Sequence, residues 1–273
     1  MEATGAYSLR LAKLFLAYKA SLAPAIVNPA HAAYFQKSLG LSSKTDAIDA
    51  RALGIFGRER KPPAYEFPSA ETLELRCLFR LRSQFVGERV ANENRLAEVD
   101  TKLAKRHLVK HIATLEKRIK MIEKDMAQIV DKTEDIAKDE AILRSVPGVG
   151  PLTAIAIIAE LGDLKRFTSA RQLSSFVGLA PKLRESGTSL KCQAHLSRSG
   201  NPMVRRAMYM AALAAIRNKK SCFRKQYERL IERGKAPKSA IMAVARKMLV
   251  VMRALIRTNE AYRFPQVPVE NHV

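Results

Sequence analysis

No tryptophan occurs in this chain, glycine is sparse at twelve residues in 273, and alanine and leucine are plentiful. That balance weights the fold toward helix and against a sheet-dominated one. Cys77, Cys192 and Cys222 are scattered, which excludes a disulfide framework and gives no zinc-ligand spacing. They read as free thiols of a reducing cytosol. A long apolar run is missing too. Ala207–Ile216 is too short to span a bilayer and lies between basic residues, and no signal-peptide pattern is visible.

Acidic residues are the scarcest of all relative to need. Twenty-six Asp and Glu face 48 Lys and Arg, giving a formal net charge of +22. A chain this basic repels itself, so a polyanionic partner is the simplest explanation. Nucleic acid is the first candidate and an anionic membrane surface the second. The excess is uneven. Arg217 to Lys247 holds 11 basic residues against Glu228 and Glu232. Lys182, Arg184, Lys191, Arg198, Arg205 and Arg206 stand against Glu185 alone. The last hundred residues are therefore the expected polyanion-facing surface.

Along the chain, Met1–Tyr7 reads as the end of a strand, a turn and the start of a helix. Tyr7, Leu11, Leu14, Tyr18 and Leu22 are apolar at helical spacing. Pro24–Pro29 reads as a short strand, and helices follow over His31–Ser38 and Thr45–Glu59 before Lys61-Pro62-Pro63. From Glu71 to about Ala137 there is no proline and only Gly87 as a glycine. Leu108, Ile112, Leu115, Ile119, Ile122, Met126 and Ile129 alternate spacings of four and three, an a/d seam of about three heptads. The pattern is read as a coiled coil within or between chains, the alternative being a long amphipathic helix packed on its own domain. Beyond Lys138 the expectation is helices over Pro151–Leu161, Ser169–Val177, Pro202–Arg217 and Lys238–Arg257, with a polar stretch at Lys182–Asn201 and a loose tail from Phe264.

Three groups of residues could carry chemistry. Asp46 and Asp49 are three apart and share a helix face, which suits Mg²⁺. The same acids equally complement the dipole of a first turn capped by Thr45. Pro147-Gly148-Val149-Gly150 sits between helices, where backbone N–H groups can approach a phosphate, or where a tight turn is simply needed. Ser186, in Glu185-Ser186-Gly187, lies among basic residues, and a hydroxyl can attack phosphorus when activated. Taken alone, the same residues are a plain Ser-Gly turn. His195 lacks a second ligand at convincing spacing and reads as a phosphate or backbone contact.

The motifs gain meaning as an ordered set. Glu2-Ala3-Thr4-Gly5, Val27-Asn28-Pro29, Lys44-Thr45-Asp46-Ala47-Ile48-Asp49-Ala50-Arg51, Val146-Pro147-Gly148-Val149-Gly150, Gly178-Leu179-Ala180-Pro181, Glu185-Ser186-Gly187 and Ser199-Gly200-Asn201 follow one another. The chain so read closely resembles the DEDD-type transposases of the insertion-sequence 110 family, relatives of the Piv DNA invertase. The resemblance implies a mixed, mostly α fold. An incomplete ribonuclease H-like (RuvC-like) α/β segment would occupy 1–65, and coiled-coil dimerisation helices 66–137. A helical domain with a helix-hairpin-helix and a serine would occupy 138–260, and a tail 261–273.

It further implies Mg²⁺-dependent, serine-mediated DNA strand cleavage and rejoining. Glu2, Asp46 and Asp49 would be three of four metal-binding acids, and Ser186 the nucleophile. Gly148, Gly150, Arg184, Lys191, Arg198, Arg205 and Arg206 would contact nucleic acid. The implied partners are DNA, a structured guide RNA and other copies of the chain, as dimer or tetramer through the coiled coil, with no membrane. The implied setting is the cytoplasm of a bacterium or archaeon. The family's first acid lies on a strand before the Glu-Ala-Thr-Gly motif, whereas Glu2 follows Met1 directly, so the expectation is an N-terminally truncated catalytic domain. The rival expectation is a remnant that binds nucleic acid and dimerises without catalysing.

Overall fold

A computed structural model describes residues 1–3, 5–18, 24–40, 45–186, 190–196, 200–219 and 221–263, with residues 6, 182–186 and 190–196 as backbone only. The expected tail from Phe264, and Leu22 of the first apolar stripe, lie outside the described residues. The chain divides into two compact units, Met1–Phe67 and the portion from Pro68 onward.

The first unit holds three helices, α1 (Ala6–Tyr18), α2 (Pro29–Ser38) and α3 (Asp46–Arg60). The expected strand ends pair as one parallel bridge between Glu2 and Val27. Ala3 N–H donates to the Val27 carbonyl at 2.9 Å, and Val27 N–H to that of Met1 at 2.8 Å. Asn28 then turns the chain into α2: its side chain accepts from Ala30 N–H, and Pro29 takes the first helical position, where a missing N–H does no harm. Phe35 packs edge-on against Phe56 at 5.2 Å, joining α2 to α3. The α1 stripe is not core. Tyr7, Leu14 and Tyr18 are exposed, and it is Ala12, between them, that is buried.

The second unit is mostly helical. Helix α4 (Ala70–Glu98) and helix α5 (Lys102–Lys132) form a long hairpin. The heptad seam is present: Leu115, Ile119, Ile122 and Met126 are buried, with Val130 completing the row. It packs on α4 of the same chain. The break between the two helices, where Val99 turns extended and Thr101 precedes α5, has no proline or glycine to announce it.

Helix α6 (Glu134–Arg144) and helix α7 (Pro151–Leu161) follow, then a 3₁₀ turn at Leu164–Arg166 and helix α8 (Ala170–Val177). Every residue from Ala154 to Leu161 is buried, because α4, α6 and helix α9 (Pro202–Arg217) all pack on α7. Helix α10 (Cys222–Glu232) and helix α11 (Pro237–Thr258) close the unit, α11 crossing α6, α8 and α9. Arg253 of α11 is buried, with no acid paired to it among the described residues. Its guanidinium instead donates to the carbonyls of Phe167 and Thr168, at 2.6–3.0 Å.

Two sequence expectations change here. The polar stretch Lys182–Asn201 is not plain loop: strand β1 (Pro181–Ser186) pairs antiparallel with strand β2 (Leu190–Leu196). A further helix, α10, stands inside the basic region, started by Ser221 accepting from Phe223 N–H. No described helix is long and apolar enough to cross a membrane.

Candidate functional site

In the first unit, Thr45 sits in extended backbone and its hydroxyl accepts from Ile48 N–H at 3.3 Å. That cap places Asp46 and Asp49 in the first turn of α3. Asp49 is half-buried and its Oδ1 accepts from Gln36 Nε2 at 2.9 Å, while Asp46 is exposed. Glu2 lies on the bridged strand end. Among the described residues, no three His, Cys, Asp or Glu side chains form a group that could hold a metal ion. The expected trio of Glu2, Asp46 and Asp49 is therefore not gathered into one coordinating cluster. As a pair, Asp46 and Asp49 offer as many carboxylates as Mg²⁺ commonly takes when substrate phosphates and water supply its other oxygens.

In the second unit, Ser186 is the last residue of β1 and pairs in register with Leu190. It stands at the turn end of the hairpin. Glu185 lies opposite Lys191, Arg184 opposite Cys192 and Lys182 opposite His195. The register slips between Lys182 and Arg184, the mark of a bulge that twists the strand. Arg198 lies outside the described residues.

The base of this hairpin is tightly built. Helix α8 ends at Gly178, in left-handed backbone, and α9 begins after Gly200 and Asn201. A Cβ on Gly200 would lie 2.5 Å from Gly178 N and 2.6 Å from the Val177 carbonyl carbon. The two chain segments touch backbone to backbone, and only glycine fits. Asn201 N–H donates to the Phe176 carbonyl at 3.3 Å, and Arg205 Nη1 to that of Val177 at 3.2 Å. Arg205 thus holds the end of α8, while Arg206 is exposed.

Asn201 does more than cap α9. Its Oδ1 accepts from Met203 and Val204 N–H, and its Nδ2 donates to Glu160 Oε2 at 2.7 Å. Glu160 is the one charged residue of the apolar helix α7, and its side chain is 1% exposed. Arg80 of α4 meets it with both prongs: Nε to Oε1 at 2.7 Å and Nη2 to Oε2 at 2.9 Å. Burial pushes the Glu160 carboxyl up. The hydrogen bonds from Arg80 and Asn201, with the charges of Arg80 and Arg76, outweigh that and hold it below the usual carboxylate range. So α4, α7 and α9 are tied at the foot of the serine hairpin. Sequence reading did not single out Arg80 or Glu160. The available signal was a lone acid inside an otherwise apolar helical run.

The Pro147–Gly150 turn joins α6 to α7. Gly148 has φ +87° and sits so near α9 that a Cβ would lie 2.4 Å from the Ala211 carbonyl oxygen and 2.6 Å from Ala215 N. Its identity is explained by packing. Gly150 is different: exposed, at φ −94°, with open space around it and no side chain capping α7. Of the two, Gly150 is the one that leaves a helix N-terminus open to an anion.

Comparison with known proteins finds matches in both parts of the chain. A transposase family model of the DEDD IS110 type matches residues 1–101, and the model described as "Transposase IS116/IS110/IS902 family" matches 140–228. The pilin gene-inverting protein of Moraxella lacunata is 29% identical over 96% of this chain and 80% of its own length. That of Moraxella bovis matches to the same extent. The transposase for insertion sequence element IS1111A of Coxiella burnetii is 28% identical over 87% of this chain and 72% of its own length. The chain belongs to the IS110 family of transposases.

Proposed function

We propose that this chain is a DNA transposase or recombinase that cuts and rejoins strands through Ser186. The observation that carries the reading is similarity, over 96% of this chain, to a protein named for inverting a gene. Inversion requires breaking and resealing the DNA backbone, which needs no outside energy when the broken ester bond is exchanged for another rather than hydrolysed. A serine ester does this: Ser186 Oγ attacks phosphorus, one P–O bond of the phosphodiester breaks, and the leaving hydroxyl takes the serine's proton. The reverse attack by a strand hydroxyl reseals the DNA and frees the serine.

Several features support assigning these parts to named residues. Ser186 stands at the turn end of a hairpin whose foot is fixed by Gly200, Asn201 and Glu160. Arg184 and Lys191 lie on the same two strands, where cations would suit a charged phosphate. Glu2, Asp46 and Asp49 are our candidates for the acids that hold Mg²⁺, which would polarise the phosphate and stabilise the leaving oxygen. The RuvC-like character of the first unit, phosphate contact at Gly150, a guide RNA and assembly of several copies belong to the same reading.

One experiment tests it. The full chain is incubated with DNA carrying the target junction and Mg²⁺, and protein–DNA adducts are read on a denaturing gel. The unaltered chain is expected to form an adduct that chelation of Mg²⁺, Asp49→Asn and Ser186→Ala each abolish. An adduct persisting in Ser186→Ala would remove that residue from its role. The second reading, a nucleic-acid-binding protein without chemistry, is favoured by the absence of a three-acid group among the described residues. Retained DNA binding with no adduct from any version would establish it.

A further inference from the structure

The outer face of α5 carries a charge pattern that the serine chemistry does not use. At 100° per residue, one arc of about 80° runs along α5 directly opposite the buried seam. Between residues 102 and 124 the positions on that arc are Lys102, Arg106, Lys110, Ala113, Lys117, Lys120 and Lys124. All but Ala113 are basic and all are exposed. A solvated helix face normally mixes signs, because Glu and Lys four apart support each other. Within this span the acids of α5 are turned elsewhere, and Asp131, two turns beyond Lys124, is the one acid of the helix on the arc. Glu116 and Glu123 flank the seam and pair with Arg89 and Arg82 of α4. The ion pairs of the hairpin, among the described residues, use none of the six cations.

Like charges three and four apart weaken a helix by a few tenths of a kcal/mol per pair. A row of them on one face is relieved by a polyanion lying along it. The row is straight, because it follows the helix axis, and it is roughly 33 Å long at 1.5 Å per residue. One turn of B-form DNA is about 34–36 Å. A helix laid along a duplex for that length meets the backbone of each strand. Lysine ammonium groups, as point charges, suit phosphates rather than base edges.

We infer that the outer face of α5, from Lys102 to Lys124, is a sequence-independent binding surface for the phosphate backbone of duplex DNA. It is separate from the basic residues around the serine hairpin. The inference rests on the proposed function only in taking DNA as the polyanion. Each B-DNA phosphate that a cation ceases to neutralise lowers the slope of log K against log salt by about 0.9.

The test measures affinity of the full chain for a duplex of about two helical turns across roughly 50–200 mM salt. The variant is Lys117→Gln with Lys120→Gln and Lys124→Gln. Glutamine is a good helix former, so the fold should hold, and circular dichroism checks that. We expect the slope to fall by about 2–3. Replacing the same three residues with arginine should leave it unchanged. An unchanged slope in the glutamine variant would overturn the assignment to α5 while leaving the serine reading intact. No salt-dependent binding by the unaltered chain would overturn both. Stripe-dependent binding that prefers an RNA duplex of the same sequence would overturn the choice of DNA.

Discussion

Arg80→Met is expected to destabilise the helical unit by about 3 kcal/mol, the low end of the range for orphaning a buried charge. The Glu160 side chain is 1% exposed, and without Arg80 it keeps the hydrogen bond from the neutral Asn201 amide and the more distant charge of Arg76. The low end applies because Arg80 is 55% exposed at its side chain, so water reaches part of the space it leaves. Adding Glu160→Gln should recover much of the loss. A neutral amide oxygen still accepts from Asn201 and no charge is left buried. Urea unfolding of the two singles and the double gives the coupling directly.

The pH dependence has a definite sign. In the unaltered chain the Glu160 carboxyl is held below its ordinary value, so it stabilises above the unfolded value of about 4.3, and that contribution is lost as pH falls through the lower folded value. In Arg80→Met, burial dominates and the folded value rises above 4.3. That variant loses stability as pH rises through the window above 4.3. The gap between the two proteins should therefore be widest near neutrality and narrow as pH falls. A gap independent of pH would mean that Arg80 acts through packing of its stem rather than through Glu160.

This network also marks where sequence reading stops. The seam on α5 was legible, because buried helix positions recur with a fixed period whatever covers them. Which surface covers them was not legible, since a seam looks the same whether its partner is α4 or another chain. The helix starts at Asn28, Thr45 and Asn201 could be read from local chemistry. The β1–β2 hairpin could not. Lys182 to Ser186 has only Leu183 as an apolar residue, so it shows no period of two. The later of the ordered motifs gather around the serine hairpin, yet several of their residues are structural in what the geometry shows. Gly200 permits a backbone contact, and Asn201 ties α9 to Glu160. Sequence alone cannot separate a residue that reacts from one that holds the reacting segment in place.

Gly148 and Gly150 make that separation measurable. Gly148→Ala meets two penalties at once. Left-handed backbone at φ +87° costs an alanine about 1–2 kcal/mol, and forcing apart close-packed groups costs about 1–3 kcal/mol more. The atoms in the way are the Ala211 carbonyl oxygen and Ala215 N of helix α9. Main-chain atoms inside a helix cannot rotate aside as a side chain would. We expect a loss of about 4 kcal/mol, with the α6–α7 turn lifting off α9. Gly150→Ala has neither problem. Its backbone is ordinary and the space beside it is open, so the loss should be under about 1 kcal/mol, that of a poorer helix cap. Thermal unfolding and DNA affinity measured on both variants then divide the two roles. If the helix N-terminus at Gly150 meets phosphate, Gly150→Ala should weaken DNA binding while melting near the unaltered chain. Gly148→Ala should lower the melting temperature first, with any loss of binding following from unfolding. Equal stability losses at the two glycines would show that the turn is free to move away from α9, and that the close approach at Gly148 is not what fixes it.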